Sequence, residues 1–122
     1  MKNLTALMLA TSLMSLSQTA FSETAKHFEG KSLESIEEAL EVFKEYNEQF
    51  EAKLNTELDP LALHEIHEMS YTMENALGYI ANTINTIAED LESVHKASEH
   101  ANPERVKEKG SEYLKLSRTV IK

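Results

Sequence analysis

The chain has 122 residues, a formal net charge of −9, three glycines, two prolines and no cysteine. Such acidity repels phosphate backbones and anionic lipid, so nucleic-acid binding is not expected. The missing cysteines exclude disulfides, zinc-thiolate sites and covalent haem attachment, and the scarcity of glycine and proline argues against a turn-rich β fold.

Lys2 is the only charge before Glu23, and an uncharged apolar run extends from Leu4 to Leu16. Small polar residues follow, with Ala20 and Ser22 at the −3 and −1 positions of an Ala-x-Ser cleavage site. These are the three parts of a secretory signal. The run is short of the roughly 20 residues that span a bilayer. Residues 1–22 are therefore expected to be a cleavable signal peptide, cut after Ser22, that sends the chain to the periplasm and leaves no membrane anchor. The expected mature chain, 23–122, carries 11 basic against 21 acidic residues, a formal charge of −10. Its length suits one domain with a modest core.

Residues 23–31 (ETAKHFEGK) show no period and read as a loose lead-in to a single helical domain over 32–122. Ser35-Ile36-Glu37-Glu38 is a capping box, whose two ends satisfy each other's orphan N–H groups. Leu33, Ile36, Leu40, Phe43, Phe50 and Leu54 then recur at three- and four-residue steps, with Asn47 filling the gap. This spacing predicts a first helix over 33–57 with a coiled-coil-like stripe. Asp59-Pro60 ends it and caps the next. The second stripe is Leu63, Ile66, Ser70, Met73, Leu77, Ile80, Ile84, Ile87, Leu91, Val94 and Ser98. Its unbroken phase predicts one long helix over 60–99, although Gly78 and the Asn/Thr residues up to Thr86 are poor helix formers. Asn102-Pro103 starts a third helix over 103–121, with a stripe of Val106, Gly110, Tyr113, Leu116 or Ser117, and Val120. Gly110 at a stripe position suggests close approach to a bulky neighbour.

Short connections make neighbouring helices antiparallel. The fold expected is all-α: antiparallel helical hairpins around a long central helix. A rod so thin buries little, so its bundle should be completed either by a homodimer or by a kink near 78–86 that folds the second helix on itself.

Histidines occur at 27, 64, 67, 95 and 100. His64 and His67 share a helix face, Glu92 and His95 form a Glu-x-x-His pair, and Glu99 follows His95 by one turn. Imidazole with carboxylate suits a divalent transition metal such as copper, zinc or nickel. In a straight helix His67 and His95 stand about 42 Å apart. A fold-back near residue 81, or a second copy paired antiparallel about that point, brings them together. His64, His67, Glu92, His95 and Glu99 are thus the candidate metal ligands. The bland alternative is that histidines beside a stripe cover apolar surface with a polar tip. The ferritin-like pattern is incomplete, because only Glu92/His95 supplies its Glu-x-x-His motif. His64 and His67 are also one residue too close for the His-Glu-x-x-His zinc-protease motif. No nucleophile–base pair or phosphate-binding loop stands out, so no enzyme is expected.

Two stretches, HEIHEMSYTMENAL (64–77) and ESVHKASEHANPERVKEKGSEYL (92–114), resemble an uncharacterised family of small exported helical proteins from Gram-negative bacteria. That resemblance implies export and a helical fold, with no assigned activity. The general shape is also similar to periplasmic four-helix b-type cytochromes, which hold haem with a Met early in the first helix and a His late in the last. Here residues 32–57 contain no Met and 103–122 no His, so haem is not expected. The expected function is a non-enzymatic periplasmic helical-bundle protein that binds a transition-metal ion. The alternative is a structural or interaction module, without ligand, whose open stripe binds a periplasmic partner helix.

Overall fold

The structure is a computed structural model and describes residues 28–121. The expected signal peptide, its cut after Ser22, and His27 lie outside the described residues. Three helices follow in order: α1 (Ile36–Leu54), α2 (Pro60–Glu99) and α3 (Pro103–Val120). Among the described residues there is no strand.

Local chemistry sets the boundaries. Ser35, in extended conformation, caps α1 by accepting from the Glu38 N–H at 3.1 Å. The reciprocal arm reaches one residue further back than a standard capping box. The Glu38 carboxylate accepts from the Glu34 N–H at 3.0 Å and pairs with Lys31 at 2.9 Å. The first helix thus starts three residues later than the stripe suggests, with Leu33 in the lead-in. Asp59 accepts from the Ala62 N–H at 2.8 Å, and Pro60 occupies the first helical position of α2, where its missing N–H costs nothing.

The turn between α2 and α3 is tight. The Ala101 N–H donates to the Ser98 carbonyl and the Asn102 N–H to the Ala97 carbonyl, a Schellman closure. It places Ala101 at φ 49, where glycine is the usual residue. Asn102 then caps α3 by accepting from the Arg105 N–H.

α2 runs unbroken for 40 residues, about 60 Å. The kink near 78–86 is therefore absent, and the chain does not fold α2 back on itself. Intrahelical hydrogen bonds continue through the Asn/Thr stretch, where the Thr83 and Thr86 hydroxyls donate to the carbonyls one turn back. α1 packs on the first half of α2 and α3 on the second, while α1 and α3 touch each other little. Lys53 pairs with Glu65 near the turn, and the Tyr79 hydroxyl donates to the Glu34 carbonyl at the far end.

The buried line of α2 is Met69, Ala76, Thr83, Asp90 and Ala97, one residue every heptad, with Thr72 beside it. Facing it, α1 buries Ile36, Ala39 and Val42, and α3 buries Ser117. Apart from Ile36, Val42 and Met69, the seam is built from small or short side chains. It is offset from the stripes of large aliphatics. Leu33, Leu40, Phe43 and Phe50 are only half-buried, and Asn47 and Leu54 are exposed. Asp90, nearly buried, accepts from Lys109 Nζ at 3.2 Å and ties α2 to α3. Gly110 meets nothing within 4 Å of an added Cβ, so no bulky neighbour explains it. Its tolerance in the helix is conformational only.

Phe28–Glu34, the described part of the lead-in, is held against α2. The Lys31 N–H donates to Thr72 Oγ1 at 3.0 Å, and Asn75 Nδ2 donates to the carbonyls of Glu29 and Lys31 at 3.0 and 3.1 Å. Gly30 sits at φ 72, where an added Cβ would lie 2.8 Å from the Thr72 nitrogen and the Tyr71 carbonyl carbon. Only glycine allows this segment to lie so close to the helix.

Candidate functional site

Beyond α1, α3 and the 28–34 strap, the flank of α2 about 100° round from its seam has no neighbour among the described residues. That side carries Leu63, Leu77, Ile84 and Leu91, which are 53%, 48%, 45% and 48% exposed. All four occupy one heptad position. Behind them lies a second row, Ile66, Met73, Ile80, Ile87 and Val94, each half-buried against the seam. An ordinary core helix sends its largest aliphatics inward and its small and polar residues outward. α2 follows this rule only in part: its most buried line is Met69, Ala76, Thr83, Asp90 and Ala97, and a row of leucines and Ile84 is left exposed.

The charge pattern reinforces the point. From Asn75 to Ala88 no residue of α2 is charged, in a chain of which 27% is charged. Within that span Gly78, Ala81 and Ala88 are small and exposed, and an added Cβ on Gly78 would meet only open space. The exposed row is thus flanked by a stretch of α2 that carries no charge. Beside it is an open cleft of about 510 Å³, walled by Gly30 and Leu33 of the strap and by Asn75, Gly78 and Tyr79 of α2. Its polar groups are largely engaged, because Asn75 and Tyr79 donate to the strap carbonyls.

The five candidate metal ligands flank the exposed row at its two ends. His64 Nε2 is 3.6 Å from Glu68 Oε1, one turn on. The His67 ring meets Tyr71 edge-on, with centroids 5.1 Å apart and Nε2 3.4 Å from the Tyr71 hydroxyl. At the other end His95 Nε2 is 3.3 Å from Glu99 Oε1. Glu92 is engaged differently. It pairs with Lys96 at 3.0 Å, and that hydrogen bond and charge hold its carboxyl below the usual range. Because α2 is straight, one chain does not bring the 64–67 end to the 92–99 end. Among the described residues no three His, Asp or Glu side chains gather as a set able to hold an ion. His100 turns back to its own helix, with Nδ1 2.7 Å from the Lys96 carbonyl.

Ser70 and Ser98, the polar members of the stripe, bond to their own helix, donating at 2.7 Å to the carbonyls of His67 and His95. They fix no intramolecular register and leave shallow gaps in the exposed row. Sequence reasoning missed Thr72, Asn75 and Tyr79 as the anchors of the strap. The available signal was Gly30, a lone glycine in a segment that otherwise lacks turn residues.

The chain belongs to a family of unknown function (DUF6746), whose model matches residues 1–122. Comparison with curated proteins and with solved structures finds no match.

Proposed function

We propose that this protein is a non-enzymatic helix–helix interaction module, exported to the periplasm, whose working surface is the outer face of α2. One observation carries the reading. Leu63, Leu77, Ile84 and Leu91 stand exposed at heptad spacing beside the uncharged span Asn75–Ala88, while the α2 side of the internal seam is mostly small or short residues. An exposed leucine row of this length is costly in water, and covering it with a partner helix removes apolar surface at roughly 25 cal/mol per Å². Export rests on Lys2, the apolar run Leu4–Leu16 and the Ala20-x-Ser22 site. N-terminal sequencing of the periplasmic protein should begin at Glu23.

The test is site-specific photocrosslinking in the native compartment. A photoreactive residue at Leu77, Ile84 or Leu91 should form a discrete adduct, and one at Glu108 on α3 should not. The Ile87→Asp substitution should abolish the adducts with helicity retained. Absence of adducts at all three outer-face positions would overturn the proposal. Transition-metal binding is the second reading, favoured by the two histidine–carboxylate pairs His64–Glu68 and His95–Glu99 at opposite ends of the same face.

A further inference from the structure

We infer that the occupant of the α2 outer face is a second copy of this chain, antiparallel about Ala81, and that each end of the pairing holds a transition-metal ion between His64 and His67 of one protomer and His95 and Glu99 of the other. The inference rests on the interaction-module reading and names its partner.

The stripe of α2 matches itself in antiparallel register. Full antiparallel overlap of Pro60–Glu99 with itself puts the two-fold axis near the middle of the helix. In the exposed row, Leu63 then faces Ser98, Ser70 faces Leu91, and Leu77 faces Ile84. Each serine gap receives a leucine from the other protomer, as knobs-into-holes packing requires. In the half-buried row, Ile66 faces Val94, Met73 faces Ile87, and Ile80 faces its own copy, so every pair is apolar. In the flanking row, His67 faces His95, Glu74 faces Ala88, and Ala81 faces itself. A slip of one heptad toward the C-terminus sets Ser70 against Ser98 and Leu77 against Leu91. That leaves one layer empty and another crowded, and strips the first turn of α2 of a partner.

The second argument is charge. Two copies of an acidic chain repel over most of their surface. Asn75–Ala88 is the stretch of α2 where no like charges meet, and it lies across the two-fold axis. Exposed Gly78, Ala81 and Ala88 allow close approach there, within the 8–10 Å usual for packed helices.

The third argument is the site. In an isologous pairing the same flank of each helix meets its counterpart. His64 and His67 of one protomer thereby come level with His95 and Glu99 of the other, and the arrangement occurs twice. One chain supplies only half of each set, so the site is incomplete without the second copy. Three imidazoles and one carboxylate form a nitrogen–oxygen donor set that suits tetrahedral zinc and also accepts copper(II) or nickel(II). Glu92, held by Lys96, is not needed.

The test exploits the absence of cysteine. By light scattering the chain should be a dimer, and Ile84→Asp should make it a helical monomer. Ala81→Cys should give a disulfide-linked dimer on mild oxidation. Ile84→Cys, which lies on the axis of the slipped register, should not. Titration with zinc alone should show one ion per protomer for the wild type and none for His67→Ala or His95→Ala. Mixing these two variants should restore one ion per heterodimer, because one of its two ends is then intact. A monomeric wild type overturns the dimer, and the in-cell crosslinks then decide independently whether another protein occupies the face. Crosslinking at 84 rather than 81 overturns the register. A dimer that takes up no zinc, or variants that fail to complement, overturn the metal site.

Discussion

Gly30→Ala is the sharpest probe of how the lead-in is held. At φ 72 an alanine costs about 1–2 kcal/mol relative to glycine. Its Cβ would also stand 2.8 Å from the Thr72 nitrogen and the Tyr71 carbonyl carbon, and both belong to helix backbone that does not yield. The strap must therefore lift. Lifting releases the Lys31 N–H from Thr72, the Glu29 and Lys31 carbonyls from Asn75, and the Glu34 carbonyl from Tyr79. At about 1 kcal/mol net for each such bond, these four contacts cap the loss at about 4 kcal/mol. An expected loss of about 2–4 kcal/mol corresponds to a fall in Tm of at least about 8 °C for a domain of this size. Thermal melts measure the loss, and amide exchange at Lys31 reports the release directly. Gly110→Ala is the control. It meets no neighbour within 4 Å and should stabilise the chain by up to about 1 kcal/mol. If Gly30→Ala melts with the wild type and Lys31 stays protected, the reasoning about the strap is wrong.

Ala76, with no exposed surface, faces α1; Ala76→Leu should overpack the seam and cost about 1–3 kcal/mol in chemical denaturation. Ala101→Gly relieves the left-handed closure of the α2–α3 turn and should raise Tm by a few degrees, a gain of about 0.5–1 kcal/mol. The Glu34 N–H and Lys31 hold the Glu38 carboxyl below its ordinary 4.5, so its contribution is full above that pH and lost as pH falls through the lower folded value. Glu38→Gln should flatten this acid limb of the stability curve. Glu112 and Asp90 raise the Lys109 ammonium above its ordinary 10.5, so its contribution is full below that pH and lost as pH rises through the folded value. Lys109→Met should remove the alkaline dependence in melts taken across that range.

The helical content, the starts of α2 and α3, and the caps at Ser35, Asp59 and Asn102 were legible in the sequence, because capping is local chemistry. The phase of the seam was not. A stripe of Leu, Ile and Met is the ordinary mark of a core face, and nothing local reveals that Ala76, Thr83 and Ala97, one position away, take that role. They do so because α1 and α3 pack on that side of α2, which is a tertiary fact. Asp90 was invisible as a seam residue for a similar reason. Its partner Lys109 stands on another helix, 19 residues on. The candidate ligands were legible as pairs on α2 but not as one set, since a straight helix keeps its ends apart.

Because α1 and α3 each pack on their own half of α2 and scarcely on each other, the chain is two hairpins spliced through one shared helix. Most contacts join residues close in sequence, a local topology of the kind that favours fast folding. It is also the topology of uneven resistance. Either hairpin can open while the other holds, so exchange rates along α2 should divide near its centre rather than follow a single global rate. Any partner laid along the whole of α2 bridges both halves. Its binding should convert two loosely linked melting units into one.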